Sequence, residues 1–155
     1  MIALICAVML VSCSDFSELP TEPGQTPRPS PAQSYAPTPS AGGETAVWEL
    51  GPDQAISASS TNFTARVSRL ECNSGVTGAV LAPDVQIAGS EVVVTFQVEP
   101  QNPNGANCQG NNWVPYQVEL GEPIGNRPLI DGQCLPGREA ERTSFCRPDG
   151  RRWTP

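Results

Sequence analysis

EVVVTFQVEP, residues 91–100, sets the class of the fold. Val92, Val94, Phe96 and Val98 fall on one face, and Glu91, Thr95, Gln97 and Glu99 fall on the other. Period two in β-branched residues marks a strand with one buried face. VPYQVEL, residues 114–120, repeats the pattern, with Val114, Tyr116, Val118 and Leu120 inward and Gln117 and Glu119 outward. FTARV, residues 63–67, turns Phe63, Ala65 and Val67 inward; the phase then slips to Leu70 and Cys72, which predicts a bulge or the strand's end near Ser68. Weaker strand patterns lie at 46–50 (Trp48, Leu50), 84–88 (Val85, Ile87), 128–131 (Leu129, Ile130) and 143–147 (Phe145). Turn residues separate them, as in NSG at 73–75, NPNG at 102–105 and PDG at 148–150. No long helical pattern interrupts the series. Roughly six or seven short strands over residues 46–155 predict an all-β domain, a small immunoglobulin-like β-sandwich.

The 155 residues do not all belong to that domain. Residues 14–45 are dominated by Pro, Ser, Thr, Gly and Ala, with seven prolines between Pro20 and Pro39. Such a composition has too little apolar mass for a core and favours extended polyproline II, so a disordered linker is expected. At ~3.1 Å per residue the segment could reach ~100 Å.

Ahead of the linker runs ALICAVMLVSC, residues 3–13, an uncharged stretch like the core of a signal peptide. It is shorter than the ~20 apolar residues that a spanning helix needs. Leu10, Val11, Ser12 and Cys13 resemble the lipobox of bacterial lipoproteins. The resemblance covers only these first residues. It implies cleavage between Ser12 and Cys13 and a diacylglycerol on the Cys13 thiol, which would anchor the chain to the lipid bilayer. The implied division is a signal peptide at 1–12, a lipidated cysteine and linker at 13–45, and the β-domain at 46–155. The basic residues that precede the apolar run in that family are missing here, which implies translation starting upstream of Met1. The closing stretch, 120–153, is similar to the ends of small exported lipoproteins of high-GC Gram-positive bacteria; this implies a location at the extracytoplasmic face of the cell membrane and points to no known activity.

Of the six cysteines, cleavage would remove Cys6 and lipid would block Cys13. Cys72, Cys108, Cys134 and Cys146 remain, and an even number in an exported chain reads as two disulfides. Three connectivities are possible. Cys72–Cys108 with Cys134–Cys146 is favoured, because each pairs neighbours along the chain and closes a loop. A zinc site is disfavoured, since no Cys-x-x-Cys pair and no His exist.

Every one of the nine basic residues is Arg; Lys and His are absent. That excludes a Ser–His–Asp triad, a Ser–Lys dyad and a lysine Schiff base. Asp131, which precedes Gly132 in a turn, and Glu139 and Glu141 in a polar loop read as solvated loop acids. The amide-rich stretch 101–112 lacks the acid that a calcium loop needs. No cofactor or metal is expected, no enzyme is expected, and a small hydrolase is the weakest reading.

The net charge is −7, and it is uneven. Residues 46–137 carry nine acids against Arg66, Arg69 and Arg127, whereas residues 138–155 carry five Arg against Glu139, Glu141 and Asp149. An acidic body argues against nucleic acid as a partner. The expectation is a membrane-anchored, non-catalytic binding or scaffolding module at the cell surface, with a wall glycan or a membrane protein as partner. In the alternative, a carbohydrate- or wall-binding module, Trp113, Trp153, Arg151 and Arg152 form the binding surface. Exposed Trp stacks on sugars or anchors interfaces; the competing expectation is that both tryptophans cover edges of the core.

Overall fold

The computed structural model of the protein describes residues 42–101 and 105–155. Ser12, Cys13 and the linker through residue 41 lie outside the described residues.

Seven strands form: β1 (Glu44–Leu50), β2 (Asn62–Arg69), β3 (Asp84–Ile87), β4 (Val92–Val98), β5 (Val114–Glu119), β6 (Leu129–Asp131) and β7 (Arg151–Trp153). Two short 3-10 turns, Gly132–Cys134 and Ser144–Cys146, are the helical elements among the described residues. The domain is all-β and holds two disulfides, Cys72–Cys108 and Cys134–Cys146. Its first strand starts at Glu44, two residues ahead of the boundary that composition suggests.

Two elements differ from the sequence pattern. Residues 143–147 are expected to be a strand, yet Ser144–Cys146 is a 3-10 turn; the Cys134–Cys146 disulfide and Thr143, whose hydroxyl donates to the Ala140 carbonyl, hold it compact. The Arg-rich end, with no alternation to betray it, supplies β7, which pairs with β6. The phase slip after Val67 involves no bulge. β2 stays in register with β1 through Ala46↔Arg69 and ends there. Both of its faces are covered at that end, so Ser68 and Arg69 are buried alongside Val67.

All seven strands join in one sheet, ordered β5-β2-β1-β4-β6-β7, with β3 on the other edge of β4. The sheet curls. β4 and β5 are separated by two strands, yet the rings of Phe96 and Tyr116 meet edge to face at 5.4 Å. Trp48 lies between them in the order and stacks on Phe63 at 5.2 Å. The main core fills the curl: Trp48, Phe63, Val67, Val94, Phe96, Val98, Val118 and Leu129 are all essentially inaccessible.

β4 is the strand that turns the sheet. Along a single edge it bonds first β6, parallel, at Val92–Val94, then β1, antiparallel, at Phe96–Val98. Where β6 and β1 part, the carbonyls of that edge need other donors, because a buried unpaired carbonyl is costly. The Trp48 indole N–H donates to the Val94 carbonyl at 2.9 Å, and the Gln133 side-chain amide donates to the Phe96 carbonyl at 3.1 Å.

Asp131 organises the same gap. One carboxylate oxygen accepts from the Trp48 backbone N–H at 3.0 Å and from Arg152 at 2.8 Å; the other accepts from the Gln133 N–H at 3.0 Å. The sequence reading of Asp131 as a solvated loop acid is corrected here, since its residue exposure is 0%. Glu139 and Glu141 are exposed. A second, smaller core of Val47, Cys134, Ala140 and Cys146 packs the 132–150 segment against the outer face of β1. Gly150 sits in this seam with φ +71, and a Cβ there would collide with Cys134.

Candidate functional site

Of the four residues proposed as a binding surface, Arg151, Arg152 and Trp153 line one depression and Trp113 another. Arg152 turns inward: its side chain is 9% exposed, held by Asp131 and by the Phe145 carbonyl, with the guanidinium over the Trp48 ring at 5.9 Å. Trp153 pairs with Leu129 in the β6–β7 ladder and packs half-buried on the main core. Arg151 is exposed and pairs with Asp149 at 3.2 Å. Trp113 and Trp153 are both half-buried and line separate depressions, Trp153 one of about 380 Å³ with Arg151 and Arg152.

Trp113 stands at the entry to β5, half-buried. Arg66, on the outer face of β2, lies over its ring at 5.3 Å and is paired to Glu49 of β1 at 3.1 Å. Phe145 meets Trp113 edge to face at 6.2 Å. This ring is 38% exposed. The sequence pattern puts it inside a strand; the turn that carries it points it outward instead, and the one signal of this in the sequence is the cysteine beside it.

Between the two rings and the Cys72–Cys108 bridge lies a groove of about 260 Å³, lined by Leu70, Cys72, Cys108, Asn111, Trp113 and Phe145, with Glu71 at its rim. Both disulfides serve it. Cys72–Cys108 ties the loop after β2 to the loop before β5, and Cys134–Cys146 fixes the turn that presents Phe145. Asn111 locks the floor through its side-chain amide, which donates to the carbonyls of Arg69 at 3.1 Å and Glu71 at 2.6 Å. Beneath, the Arg69 guanidinium is buried: it donates to the carbonyls of Thr77 at 3.1 Å and Glu99 at 2.6 Å and forms an ion pair with Glu44. The groove is mainly apolar, with Asn111 in its floor and Glu71 at its edge.

A larger depression, about 410 Å³, lies at the far end of β2 and β5, walled by Gln54, Ser59, Ser60, Asn62 and Gln117. Several of these polar groups are spent on one another or on the backbone: Thr64 on Gln117, Gln117 on Asn62, and Gln54 on the Thr64 backbone.

Burial raises the Asp131 carboxyl above the usual carboxylate range; the Arg152 charge and hydrogen bond and the N–H groups of Trp48 and Gln133 pull it back down. Such a shift can mark a functional acid. Here the group is sealed beneath β7 with each oxygen occupied, so its work is structural. Among the described residues no group of three His, Cys, Asp or Glu is placed to hold a metal, and no helix is long and apolar enough to cross a membrane. The groove offers aromatic faces and edges, a disulfide wall and a charged rim.

No protein-family model, curated protein or solved structure matches the chain.

Proposed function

We propose that the chain is an exported lipoprotein, held at the extracytoplasmic face of the cell membrane by a diacylglycerol on Cys13, and that its β-domain is a non-catalytic binding module. The observation that carries this reading is the pairing of a lipobox-like Leu10-Val11-Ser12-Cys13 with a domain closed by two disulfides. Disulfides persist in oxidising compartments outside the cytoplasm. The proline-rich segment supports the same reading, because a tether raises local concentration near the membrane while giving reach. The groove at Trp113 and Phe145 is the binding surface.

The experiment is retention of the oxidised protein on purified wall material and, separately, on detergent-solubilised membrane proteins of the source cell. The paired aromatic rings favour the wall glycan, since sugar rings stack on Trp and Phe faces. Trp113→Ala with Phe145→Ala is expected to abolish retention on wall material, whereas Trp153→Ala is expected to act only through stability. Retention that survives loss of both groove rings rejects the groove as the site.

A further inference from the structure

The curl brings two unpaired sheet edges to face a common cleft. Within it the order runs β5-β2-β1-β4-β3, and among the described residues each terminal strand has one neighbour, β5 on β2 and β3 on β4. Their free edges border a cleft of about 210 Å³, lined by Ala82, Pro83 and Val85 on one side and Tyr116, Gln117 and Glu119 on the other. Tyr116 and Val85 close its floor against the main core.

The direction of each backbone group follows from the ladders. In β2, the Thr64 carbonyl accepts from Gly51 and the Thr64 N–H donates to Gln54, so Thr64 bonds away from β5. The residues that bond toward β5 are then Phe63 and Ala65, whose partners are Val118 and Tyr116. Leu120 continues that series, its N–H donating to the Thr61 carbonyl. Gln117 and Glu119 therefore aim their N–H and C=O groups off the edge. In β4, Gln97 accepts from the Leu81 N–H on the β3 side, so Val93 and Thr95 also bond toward β3, where Gln86 and Asp84 oppose them. Val85 and Ile87 are left facing outward. By the ladder phase the N–H groups of Val85, Ile87, Gln117 and Glu119 point away from their paired strands, and among the described residues none of them joins a turn or loop hydrogen bond.

Donors and acceptors alternating at two-residue spacing along both walls complement an extended peptide backbone. The charges select among peptides. Glu119 lies in the cleft, with no cationic side chain among the lining residues. A second copy entering by its own β5 would bring another Glu119 into an already acidic cleft and offer Pro115, which has no N–H to give. We propose that the β3–β5 cleft takes an extended, basic peptide segment of a partner protein as an added strand. The inference rests on the binding-module reading but uses a different surface from the aromatic groove.

The test uses the full-length, oxidised chain and an acetylated, amidated hexapeptide of alternating valine and threonine with arginine at both ends. Amide exchange followed by NMR is expected to slow at Val85, Ile87, Gln117 and Glu119 by about tenfold or more when peptide is bound. The same peptide N-methylated at alternate residues is expected to have no effect. Gln117→Pro removes one outward N–H and leaves the β5–β2 ladder intact, and it is expected to weaken binding by about tenfold. Should that variant fail to fold, Glu119→Arg is expected to weaken binding of the basic peptide through charge alone. Trp113→Ala is expected to bind peptide normally, and wall retention on the same samples reports on the groove separately. No slowing at those amides at millimolar peptide overturns the proposal. So does slowing that grows with protein concentration in the absence of peptide, which would give the cleft to a second copy.

Discussion

Arg152→Met removes the cation from a pair that has no water to replace it. Asp131 is 0% exposed and the Arg152 side chain 9%, with 2.8 Å between the bonded atoms. Deleting one partner of a buried pair costs roughly 3–5 kcal/mol, because the other charge stays behind. The lost bond to the Phe145 carbonyl adds roughly 1 kcal/mol. Against the roughly 5–15 kcal/mol that a domain has in total, the variant keeps a fraction of its stability. The assay is urea unfolding of the oxidised protein, repeated across pH. Burial already raises the Asp131 carboxyl, and Arg152 opposes that rise most strongly. Without Arg152 the folded-state value moves further up. Between the unfolded value, about 3.9, and the raised folded value, the native state holds a proton that the unfolded chain has lost. The variant therefore gains stability relative to wild type as pH falls from its own folded value to the lower folded value of wild type, at up to ~1.4 kcal/mol per pH unit, and below that the two profiles run parallel. Adding Asp131→Ala to Arg152→Met removes the stranded charge but orphans the N–H groups of Trp48 and Gln133, so it restores part of the loss only. An Arg152→Met protein within about 1 kcal/mol of wild type, with the same pH profile, would refute the role given to this pair.

Three further outcomes are expected. Cys72→Ser with Cys108→Ser opens a loop of separation 36 and Cys134→Ser with Cys146→Ser one of separation 12; chain entropy puts the losses at about 4 and about 3 kcal/mol, with more for the second pair because its sulfurs are in a core, and thermal melts of the variants check the size. Trp48→Phe leaves the Val94 carbonyl without its donor at the turning point of β4 and costs roughly 1–3 kcal/mol by denaturant unfolding; an unchanged midpoint would contradict the gap-filling role. Phe145→Ala, at a half-open ring, lowers stability by less than about 1 kcal/mol while removing retention on wall material, so binding and unfolding measured on one sample should part company.

Much of the fold is legible because one face of most strands meets solvent. Val92, Val94, Phe96 and Val98 alternate cleanly, and so do Val114, Tyr116 and Val118, since period two survives wherever a sheet has one wet side. Legibility fails where both faces are covered. Val47 reads as outward beside Trp48 and is buried all the same, because the disulfide-bound 132–150 segment packs on that side. Asp131 and Arg152 read as loop and tail charges, because their burial depends on a partner 21 residues away that local pattern cannot reveal. β7 carries no alternation; its pairing partner β6 and the clasp at Arg152 create it. Trp113 was visible as a candidate from its type and position, whereas Phe145 and Arg66 join it only through the three-dimensional meeting of β2, the entry to β5 and the 144–146 turn. The single continuous sheet was equally hidden, since nothing in EVVVTFQVEP announces that one edge of the strand serves two neighbours.

The most direct test of a lipid-anchored, disulfide-closed surface module is the intact mass of the protein extracted from membranes of its source cell under non-reducing conditions. The expected species begins at Cys13, carries a diacylglycerol, and has no free thiol at Cys72, Cys108, Cys134 or Cys146. A chain that retains residues 1–12 without lipid, or that shows four alkylatable thiols in the domain, would contradict both the location and the function proposed for it.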